Sequence, residues 1–369
     1  MSRPDYRAPV RFLSLASRER ELDTCTFCPK LCRSACPVSN AEPRETLTPW
    51  GKMSLVNHLL HGDVPADSAH GAPAWACTGC GRCAHRCDHE TPVGIVLREA
   101  RAELARAGVR PKSIDDVSTR VAASDAAMRD GASELAGEAA LDVESRHGLL
   151  VGCAYHRGAQ EEVRLALRVA HALTGQRYRI VTSCCGAPFA DAGEPEEGAS
   201  RAQAISAQAA SLESLVVVDP GCAVHLGATP APGRPRPKTL VEVAAEHLDR
   251  FEPAPGLGEE PIRWHDPCRL GRGLGQYDAP RHVLTRILGR SPDEFAERRE
   301  QGGCSGGGGL LPLTFPDASR GAASRRVAEH EELGGGRIVT GCASSLRRFR
   351  AAGAEADDLV RWMARSLGV

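Results

Sequence analysis

Apolar and polar positions change their spacing several times along the chain. Between residues 148 and 255, short apolar runs such as GLLVGC, YRIVTS and SLVVVDPGC alternate with longer segments such as AQEEVRLALRVAHALTG, whose apolar positions recur every three or four residues. Short apolar runs bounded by turn residues are typical of buried strands, and the longer period is that of an amphipathic helix. The alternation predicts an α/β layer with a mostly parallel sheet.

Other segments carry the helical period alone. The segments GEPEEGASRAQAISAQAASL, TLVEVAAEHLDRF and VGIVLREARAELARAG are predicted helices, the last with a glycine near its end. Residues 111–147, rich in Ala, Asp, Glu and Ser, predict a linker with one amphipathic helix. The first 110 residues instead hold turn-rich stretches between two dense runs of cysteine.

Residues 256–369 look like a worn repeat of 148–255. The string PIRWHDPC corresponds to GLLVGC, QGGCSGGGG to VTSCCGAP, and GRIVTGCASS to LVVVDPGCAVH. Each corresponding cysteine is predicted to follow a strand, where open α/β sheets place their ligands. The pairs, about 115 to 120 residues apart, are Cys153 with Cys268, Cys185 with Cys304, and Cys222 with Cys342. We therefore expect two homologous lobes that face each other across a pseudo-twofold axis.

Composition and charge exclude several classes of protein. The 46 Lys and Arg balance the 47 Asp and Glu, and aromatic residues make up 4%, which argues against a nucleic-acid-binding surface. The charged N-terminus lacks the apolar core of a signal peptide, and no run approaches the roughly 18 apolar residues of a transmembrane segment. A cytoplasmic protein is expected, with any contact to the inner face of the membrane made through a partner.

The chain has 15 cysteines, and this odd number in a long chain without a secretory signal favours metal ligation over disulfides. Residues 77–87 have the C-x-x-C-x-x-C-x-x-x-C spacing of bacterial ferredoxins, and residues 25–36 have four more cysteines with one extra residue between the second and third. In two-cluster ferredoxins the last cysteine of each run ligates the other cluster. The predicted ligand sets are therefore Cys25, Cys28, Cys32 and Cys87 for one 4Fe-4S cluster, and Cys77, Cys80, Cys83 and Cys36 for the other.

A pair of zinc sites is the alternative for these runs. Zinc often takes two C-x-x-C pairs, but it needs only two cysteines from each run, and here each run has four. The ferredoxin spacing favours iron–sulfur chemistry, although Asp88 stands where a proline usually follows the last cysteine.

The lobe cysteines are scattered and must converge from several strand ends. Cys153, the adjacent Cys184 and Cys185, and Cys222 form a candidate ligand set, with Gly186 permitting the sharp turn that two neighbouring thiols need. Buried cysteine in an apolar core is the alternative. Repetition of the pattern in a second lobe favours ligation. Gly306–Gly309 lacks a nucleotide-loop signature, so it is either a close backbone approach to cluster sulfurs or a flexible loop.

These strings together resemble the heterodisulfide reductase family of cysteine-rich iron–sulfur proteins. VTSCCGAP, WHDPCRLGR, CSGGGG and VTGCASS look like that family's motifs, and the resemblance extends over nearly all residues beyond 20. The family includes iron–sulfur subunits of glycolate oxidase, lactate utilisation and anaerobic glycerol-3-phosphate dehydrogenase. The resemblance implies a third iron–sulfur cluster in the lobes and a flavoprotein dehydrogenase or electron-transfer flavoprotein as partner.

The chain departs from the family pattern of five cysteines in each lobe. Asp219 replaces one cysteine of the first lobe, and four remain. Gly303 and Ser345 replace two in the second, which leaves Cys268, Cys304 and Cys342 as ligands for a three-iron cluster, for a cubane with another ligand, or for no cluster. His265 is either an outer-shell donor, a ligand or, as we favour, a turn residue bonded to backbone.

The predicted fold is α+β. Its domains are a mostly helical dicluster ferredoxin-like domain at 1–110, a helical linker at 111–147, a first cysteine-rich α/β lobe at 148–255 and a second, degenerate lobe at 256–369. The predicted function is that of an oxidoreductase subunit that carries single electrons between a flavoprotein and a quinone or other acceptor. The alternatives are a reductase whose lobe cluster acts directly on a disulfide, thiol or quinone, and a zinc scaffold without redox activity.

Overall fold

The computed structural model describes residues 12–30, 32–229, 231–253, 256 and 260–369. The first 11 residues of the charged N-terminus, which is predicted not to be a signal peptide, lie outside the described residues. The chain forms two compact units. One comprises Met1–Val117, Pro188–Pro195 and Gly306–Ala322, and the other comprises Ser118–Ala187, Glu196–Ser305 and Ala323–Val369.

The first unit is helical. Its N-terminal part contains α1 (Glu19–Thr26), α2 (Pro37–Ala41), α3 (Pro49–His61), α4 (Ser68–Trp75), α5 (Arg82–His85) and α6 (Val93–Arg106). Helix α3 packs against α1, α4 and α6. It begins where the Thr48 side chain accepts a hydrogen bond from the Gly51 amide at 3.0 Å, and it ends at Gly62 with φ +75°. These local caps fix the length of the helix that lies beside both cysteine runs.

The first lobe is a parallel sheet in the order β2-β1-β3-β4. Its strands are β1 (His147–Leu150), β2 (Arg179–Ile180), β3 (Ser214–Val217) and β4 (Pro237–Thr239). Its helices are α7 (Val117–Ser133), α8 (Cys153–His156), α9 (Gln160–Thr174), α10 (Ala187–Asp191), α11 (Pro195–Ala209), α12 (Pro220–Ala228) and α13 (Leu240–Glu246). The predicted helix over TLVEVAAEHLDRF begins close to where it was expected, because the Thr239 hydroxyl caps α13 by accepting from the Glu242 amide. It is shorter than expected, because α13 ends at Glu246 and a separate 3₁₀ turn, Leu248–Arg250, follows.

The second lobe repeats this topology in the order β6-β5-β7-β8, again with every pair parallel. Its strands are β5 (Ile262–Trp264), β6 (Asp293–Glu294), β7 (Arg337–Thr340) and β8 (Ala356–Asp358). Its helices are α14 (Gly271–Leu274), α15 (Asp278–Leu288), α16 (Leu311–Thr314), α17 (Pro316–Glu332), α18 (Ala343–Ala351) and α19 (Leu359–Leu367). The matching strand orders agree with the predicted internal repeat, and the α+β fold class is confirmed.

Two short segments within the lobe sequences belong to the first unit, which was not expected from the sequence. Residues 188–195 follow the CCG turn of the first lobe, and residues 306–322 follow Cys304 of the second. Nearly all of α10, all of α16 and the start of α17 are therefore part of the first unit. In the part of the chain that the structure describes, no helix combines the length and apolar character needed to cross a membrane.

Candidate metal centres

The first sulfur set consists of Cys25, Cys28, Cys32 and Cys87. These side chains line one cavity with about 510 Å³ of empty space. Burial raises the pKa of Cys25 to about 12, and the nearby thiols of Cys32, Cys87 and Cys28 contribute to that rise. The cysteine from the second run therefore lies beside three from the first, as the crossed ferredoxin pattern predicts.

The second sulfur set consists of Cys36, Cys77, Cys80 and Cys83. They line a separate cavity with about 360 Å³ of empty space. Burial is the main reason why the pKa of Cys83 lies well above its usual value. The nearby thiols of Cys80, Cys77 and Cys36 raise it further. Four thiols around one cavity match the ligand number of a cubane, so the residues of both sets fit a 4Fe-4S cluster.

The cysteines of the two runs lie at or near the ends of short helices. Cys25 lies in the last turn of α1, whereas Cys36 occupies the N-cap of α2 with Pro37 in the first turn. Gly81, with φ +76°, starts α5, and Cys87 follows that helix. The Gly79 amide donates to Cys77 Sγ at 3.3 Å, which is the amide-to-sulfur contact expected around a cluster loop.

The crossed composition of the two sulfur sets bears on the zinc alternative. Each cavity is lined by three cysteines of one run and the last cysteine of the other. A zinc site needs only two cysteines from each run, whereas a two-cluster ferredoxin uses this three-plus-one arrangement. The arrangement therefore favours the cluster interpretation over the zinc alternative.

The glycine run at residues 306–309 lies close to another backbone segment, which was one of its two interpretations. That segment is the backbone of the second cysteine run, and not the cluster sulfurs. A Cβ at Gly309 would lie 2.2 Å from the Cys77 carbonyl oxygen, and a Cβ at Gly308 would lie 2.6 Å from that of Thr78. The buried Arg101 guanidinium donates to the carbonyl oxygens of both Cys77 and Gly309, at 2.7 and 3.2 Å. The segment after Cys304 is thus tied to the backbone of the second sulfur set.

The four cysteines of the first lobe come together. Neighbouring thiols shift one another's pKa from Cys153 through Cys184 and Cys185 to Cys222. All four are buried. For Cys222, the neighbouring Cys185 thiol lowers the pKa, but burial and the Asp219 carboxyl raise it to about 12. Because each thiol would lose a proton on ligation, this buried group fits a four-thiolate centre whose formation releases protons.

The sharp turn that brings Cys184 and Cys185 to one place depends on Gly186. Its φ is +93°, and a Cβ there would lie 2.2 Å from the Gly198 carbonyl oxygen. Asp125 on α7 fixes the turn from the other side. Its carboxylate accepts from the Cys184 amide at 2.8 Å and from Arg201 at 2.6 Å. Sequence reasoning missed Asp125, because nothing local marks a carboxylate 59 residues before its amide partner.

Asp219, which replaces a family cysteine, serves as a helix cap. Its Oδ1 accepts from the amides of Gly221 and Cys222 at 2.8 and 3.2 Å at the start of α12. Burial raises its pKa. The carboxylate therefore positions Cys222 through the backbone, and the set of four thiols is complete without it.

The second lobe differs at the positions where cysteine is missing. A Cβ at Gly303 would lie 3.3 Å from Cδ, Nε and Nη1 of Arg326. This guanidinium is buried, stacks 3.5 Å above the Phe295 ring and pairs with Glu329. Ser345, at the other missing position, shares a 2.9 Å hydrogen bond with Ser305. Arginine and hydroxyl groups thus fill the positions that sulfur would need.

The remaining cysteines of this lobe are only partly associated. Burial and then Asp219 raise the pKa of Cys342 to about 12, with a smaller effect from Cys268. Cys304 is buried, but it follows β6 by ten residues and so does not lie at a strand end, contrary to expectation. The lobe offers three thiols at most, which does not fit a four-thiolate cubane.

His265 is neither exposed nor in a turn. Its amide donates to the Val339 carbonyl oxygen at 2.9 Å, which continues the sheet pairing. Its ring packs edge-on against Phe349, at 4.7 Å between centroids, and burial lowers its pKa to about 3. Within the described residues Nδ1 has no hydrogen-bond partner. The favoured interpretation of a turn residue is therefore wrong, because His265 continues the sheet pairing as a buried, neutral core residue.

Lys52 on α3 is a further residue that the sequence analysis missed. Its Nζ lies 3.5 Å from Cys36 Sγ, and the residue is 2% exposed. The available signal was helical spacing, because Lys52 occupies the same face as the buried Val56 and Leu59, at positions i, i+4 and i+7. A lysine among the apolar positions of a helix is unusual, and this signal could have identified Lys52 from the sequence.

Family comparisons agree with this arrangement. Residues 21–91 match the model of a 4Fe-4S dicluster domain. Residues 148–227 and 262–347 each match the model of a cysteine-rich domain. The two domain types fall on the two sulfur sets and on the two lobes.

Several relatives with similar sequences carry the names of subunits of reductases or oxidoreductases. The chain is 24% identical to a subunit of the dihydromethanophenazine:CoB–CoM heterodisulfide reductase of Methanosarcina mazei, with 95% of each chain covered. It is 25% identical to a subunit of the fumarate reductase (CoM/CoB) of Methanothermobacter marburgensis over 84% of this chain, which spans 64% of that protein's length. It is 30% identical to an Hdr-like menaquinol oxidoreductase iron–sulfur subunit of Archaeoglobus profundus, over 23% of this chain and 16% of that protein.

Proposed function

We infer that this chain, which belongs to the heterodisulfide reductase-like iron–sulfur proteins with a dicluster domain and two cysteine-rich domains, is the electron-carrying subunit of a larger redox complex. The observation that carries the proposal is the crossed convergence of the two cysteine runs. Each cavity takes three sulfurs from one run and one from the other. Two cavities so built match the ligand sets of a dicluster ferredoxin.

We assign Cys25, Cys28, Cys32 and Cys87 to one 4Fe-4S cluster, and Cys36, Cys77, Cys80 and Cys83 to the other. When bound, such clusters accept and release one electron at a time. The protein's part is to hold the thiolates, to exclude water from the more buried sulfurs and to direct amides such as that of Gly79 at a sulfur.

A third cluster is assigned to Cys153, Cys184, Cys185 and Cys222 of the first lobe. The burial of all four thiols, their mutual effects on pKa and the CCG turn held by Asp125 support this assignment. The second lobe, with Arg326 beside Gly303, is assigned no cubane, and its Cys268, Cys304 and Cys342 remain as core and loop thiols. Since the first-lobe sulfurs are buried, electron transfer has more support than direct attack on an outside disulfide.

The partner is proposed to be a flavoprotein dehydrogenase or an electron-transfer flavoprotein, and the acceptor a quinone. The glycine-rich strings GRGLG and GGGG lack the spacing of a dinucleotide-binding loop, so the two-electron chemistry is assigned to the partner. One relative carries the name of a menaquinol oxidoreductase subunit, which supports a quinone as the other redox component. Attachment to a membrane would then be made by a partner.

Anaerobic purification tests the proposal. Iron, sulfide and zinc are measured, and EPR spectra are recorded during stepwise reduction. We expect about twelve irons per chain, from three cubanes, with matching sulfide. Zinc without sulfide would overturn the proposal, and about eight irons would leave the two N-terminal assignments standing and remove the lobe cluster.

A further inference from the structure

We propose that Lys52 raises the reduction potential of the cluster held by the second sulfur set, and so makes that cluster the resting place of the electron within the dicluster domain. The inference rests on the proposed function, since it needs clusters in both sulfur sets. It adds a positioning residue that acts through charge and touches a single ligand sulfur.

The geometry puts a cation against one ligand. Lys52 Nζ lies 3.5 Å from Cys36 Sγ, and the whole residue is 2% exposed on α3. Lys52 also lines the cavity of the second sulfur set, where it is the one charged side chain among the described lining residues. Apart from the cysteines, the other lining side chains are apolar or small, such as Val38, Pro49 and Val93.

A buried ammonium group needs a counter-charge. Moving an unpaired charge from water into a protein interior costs several kcal/mol, so buried lysines are paired as a rule. Among the residues described by the structure, no carboxylate forms an ion pair with Lys52 within 4.0 Å. The Lys52 ammonium group donates its hydrogen bond to Cys36 Sγ. An anionic thiolate cluster at this place supplies the missing partner.

The sign of the effect follows from charge. A cubane with four thiolates is an anion when oxidised, and it gains a further negative charge on reduction. A nearby cation therefore stabilises the reduced form more than the oxidised form. Because the pair is buried, water and salt screen this attraction little. Lys52 must then raise the potential of the second cluster.

The first sulfur set provides the contrast within the same unit. Lys30 lines its cavity too, but its side chain is 35% exposed and forms a 3.3 Å ion pair with Glu45. Its Nζ also lies 3.7 Å from the Trp50 ring centroid. A neutralised and solvated lysine changes the local potential far less. Two clusters with the same ligand number are thus expected to differ in potential, with the second one higher.

The test is a redox titration followed by EPR on the whole protein, comparing Lys52→Met, Lys52→Arg and Lys30→Met. Signals are assigned with Cys28→Ser and Cys80→Ser, which remove the first and second clusters. We expect Lys52→Met to lower the midpoint of the second cluster and to shrink the gap between the two midpoints. Lys52→Arg should keep the wild-type midpoint, and Lys30→Met should shift the midpoint of the first cluster far less than Lys52→Met shifts that of the second.

Each outcome decides the question. An unchanged midpoint in Lys52→Met, or an equal shift in Lys52→Arg, overturns the proposal, because position without charge would then be what matters. Loss of second-cluster iron in Lys52→Met but not in Lys52→Arg supports the requirement for a cation, and its loss in both overturns it. A wild-type protein without iron and sulfide refutes the proposed function itself, whereas a loaded protein with unmoved midpoints refutes only the role of Lys52.

Discussion

The two lobes share a strand order but differ in how their cysteines are arranged. In each, four parallel strands occur in the same sequence of neighbours. The first lobe brings four buried thiols together, whereas the second places Arg326 beside Gly303 and pairs Ser345 with Ser305. Strand pairing and core packing involve many residues, so the fold does not depend on individual cysteines.

The second lobe holds other groups at the positions without cysteine. Arg326 is held by stacking on Phe295, by Glu329 and by the Glu297 carbonyl oxygen at 2.9 Å. The guanidinium is therefore part of the core of the second lobe. It lies beside Gly303, next to Cys304, whereas in the first lobe Cys184 is next to Cys185.

The largest expected effect comes from paired cysteine substitutions. Cys185→Ser should remove about four irons per chain and one set of EPR signals, because it takes one of four thiolates from the lobe cluster. Cys304→Ser, its counterpart in the second lobe, should leave the iron content unchanged. Iron and sulfide assays with EPR measure both. Equal losses would show that the second lobe also binds metal.

Arg326→Met should lower the free energy of unfolding by about 3 kcal/mol, because it leaves Glu329 and the Glu297 carbonyl without their buried partner. Arg201→Met in the first lobe is the matched control. Its ion pair with Asp125 is partly exposed, so a loss below about 1 kcal/mol is expected. Denaturant unfolding measures both. A loss in Arg326→Met no larger than that in Arg201→Met would show that the Arg326 guanidinium does not stabilise the second lobe.

Asp358 should make stability depend on pH. Burial raises the pKa of Asp358 to about 7, above the 3.8 of an exposed carboxyl. Between these two values the folded state holds a proton that the unfolded state has released, so stability falls as pH rises through about 7 and then levels off. From about pH 5.5 to about pH 8 we expect a loss of about 2 kcal/mol in the wild type, absent from Asp358→Asn.

Tyr155→Phe is the control for this prediction, because Tyr155 in the first lobe donates a 2.8 Å hydrogen bond to Asp358 in the second. That bond lowers the pKa of Asp358, so its removal should extend the loss of stability to higher pH. Unfolding experiments across the pH range measure both variants. A wild-type profile in Asp358→Asn would contradict the assignment.

The smallest effect is expected at a residue that orients a ligand. Asp125→Ala removes the acceptor for the Cys184 amide and should weaken iron retention in the first lobe by about tenfold. Ser305→Ala, which removes a hydrogen bond near Cys304, should not change it. The rate of iron loss to a chelator measures both. Equal rates in the two variants would show that Asp125 does not support the CCG turn.

Much of the fold could be read from the chain. The period of apolar positions indicated α6, α9 and α11 and the strands β1 and β3, because those patterns are local. The strand β4 lies mostly before the predicted helix that begins at Thr239, in a stretch that no apolar run marks, and its pairing with β3 makes Pro237–Thr239 extended. Position and length of such short strands depend on neighbours that are distant in sequence.

The sequence by itself determined the two ferredoxin-type cysteine runs, the order of domains and the internal repeat, because spacing within a short loop limits which side chains can meet. Only the tertiary structure decided which groups surround the sulfurs. Lys52 beside Cys36, Asp125 at the CCG turn and Arg326 beside Gly303 come from elements far apart in the chain. Their placement follows from helix and sheet packing, which fixes contacts that no local pattern records.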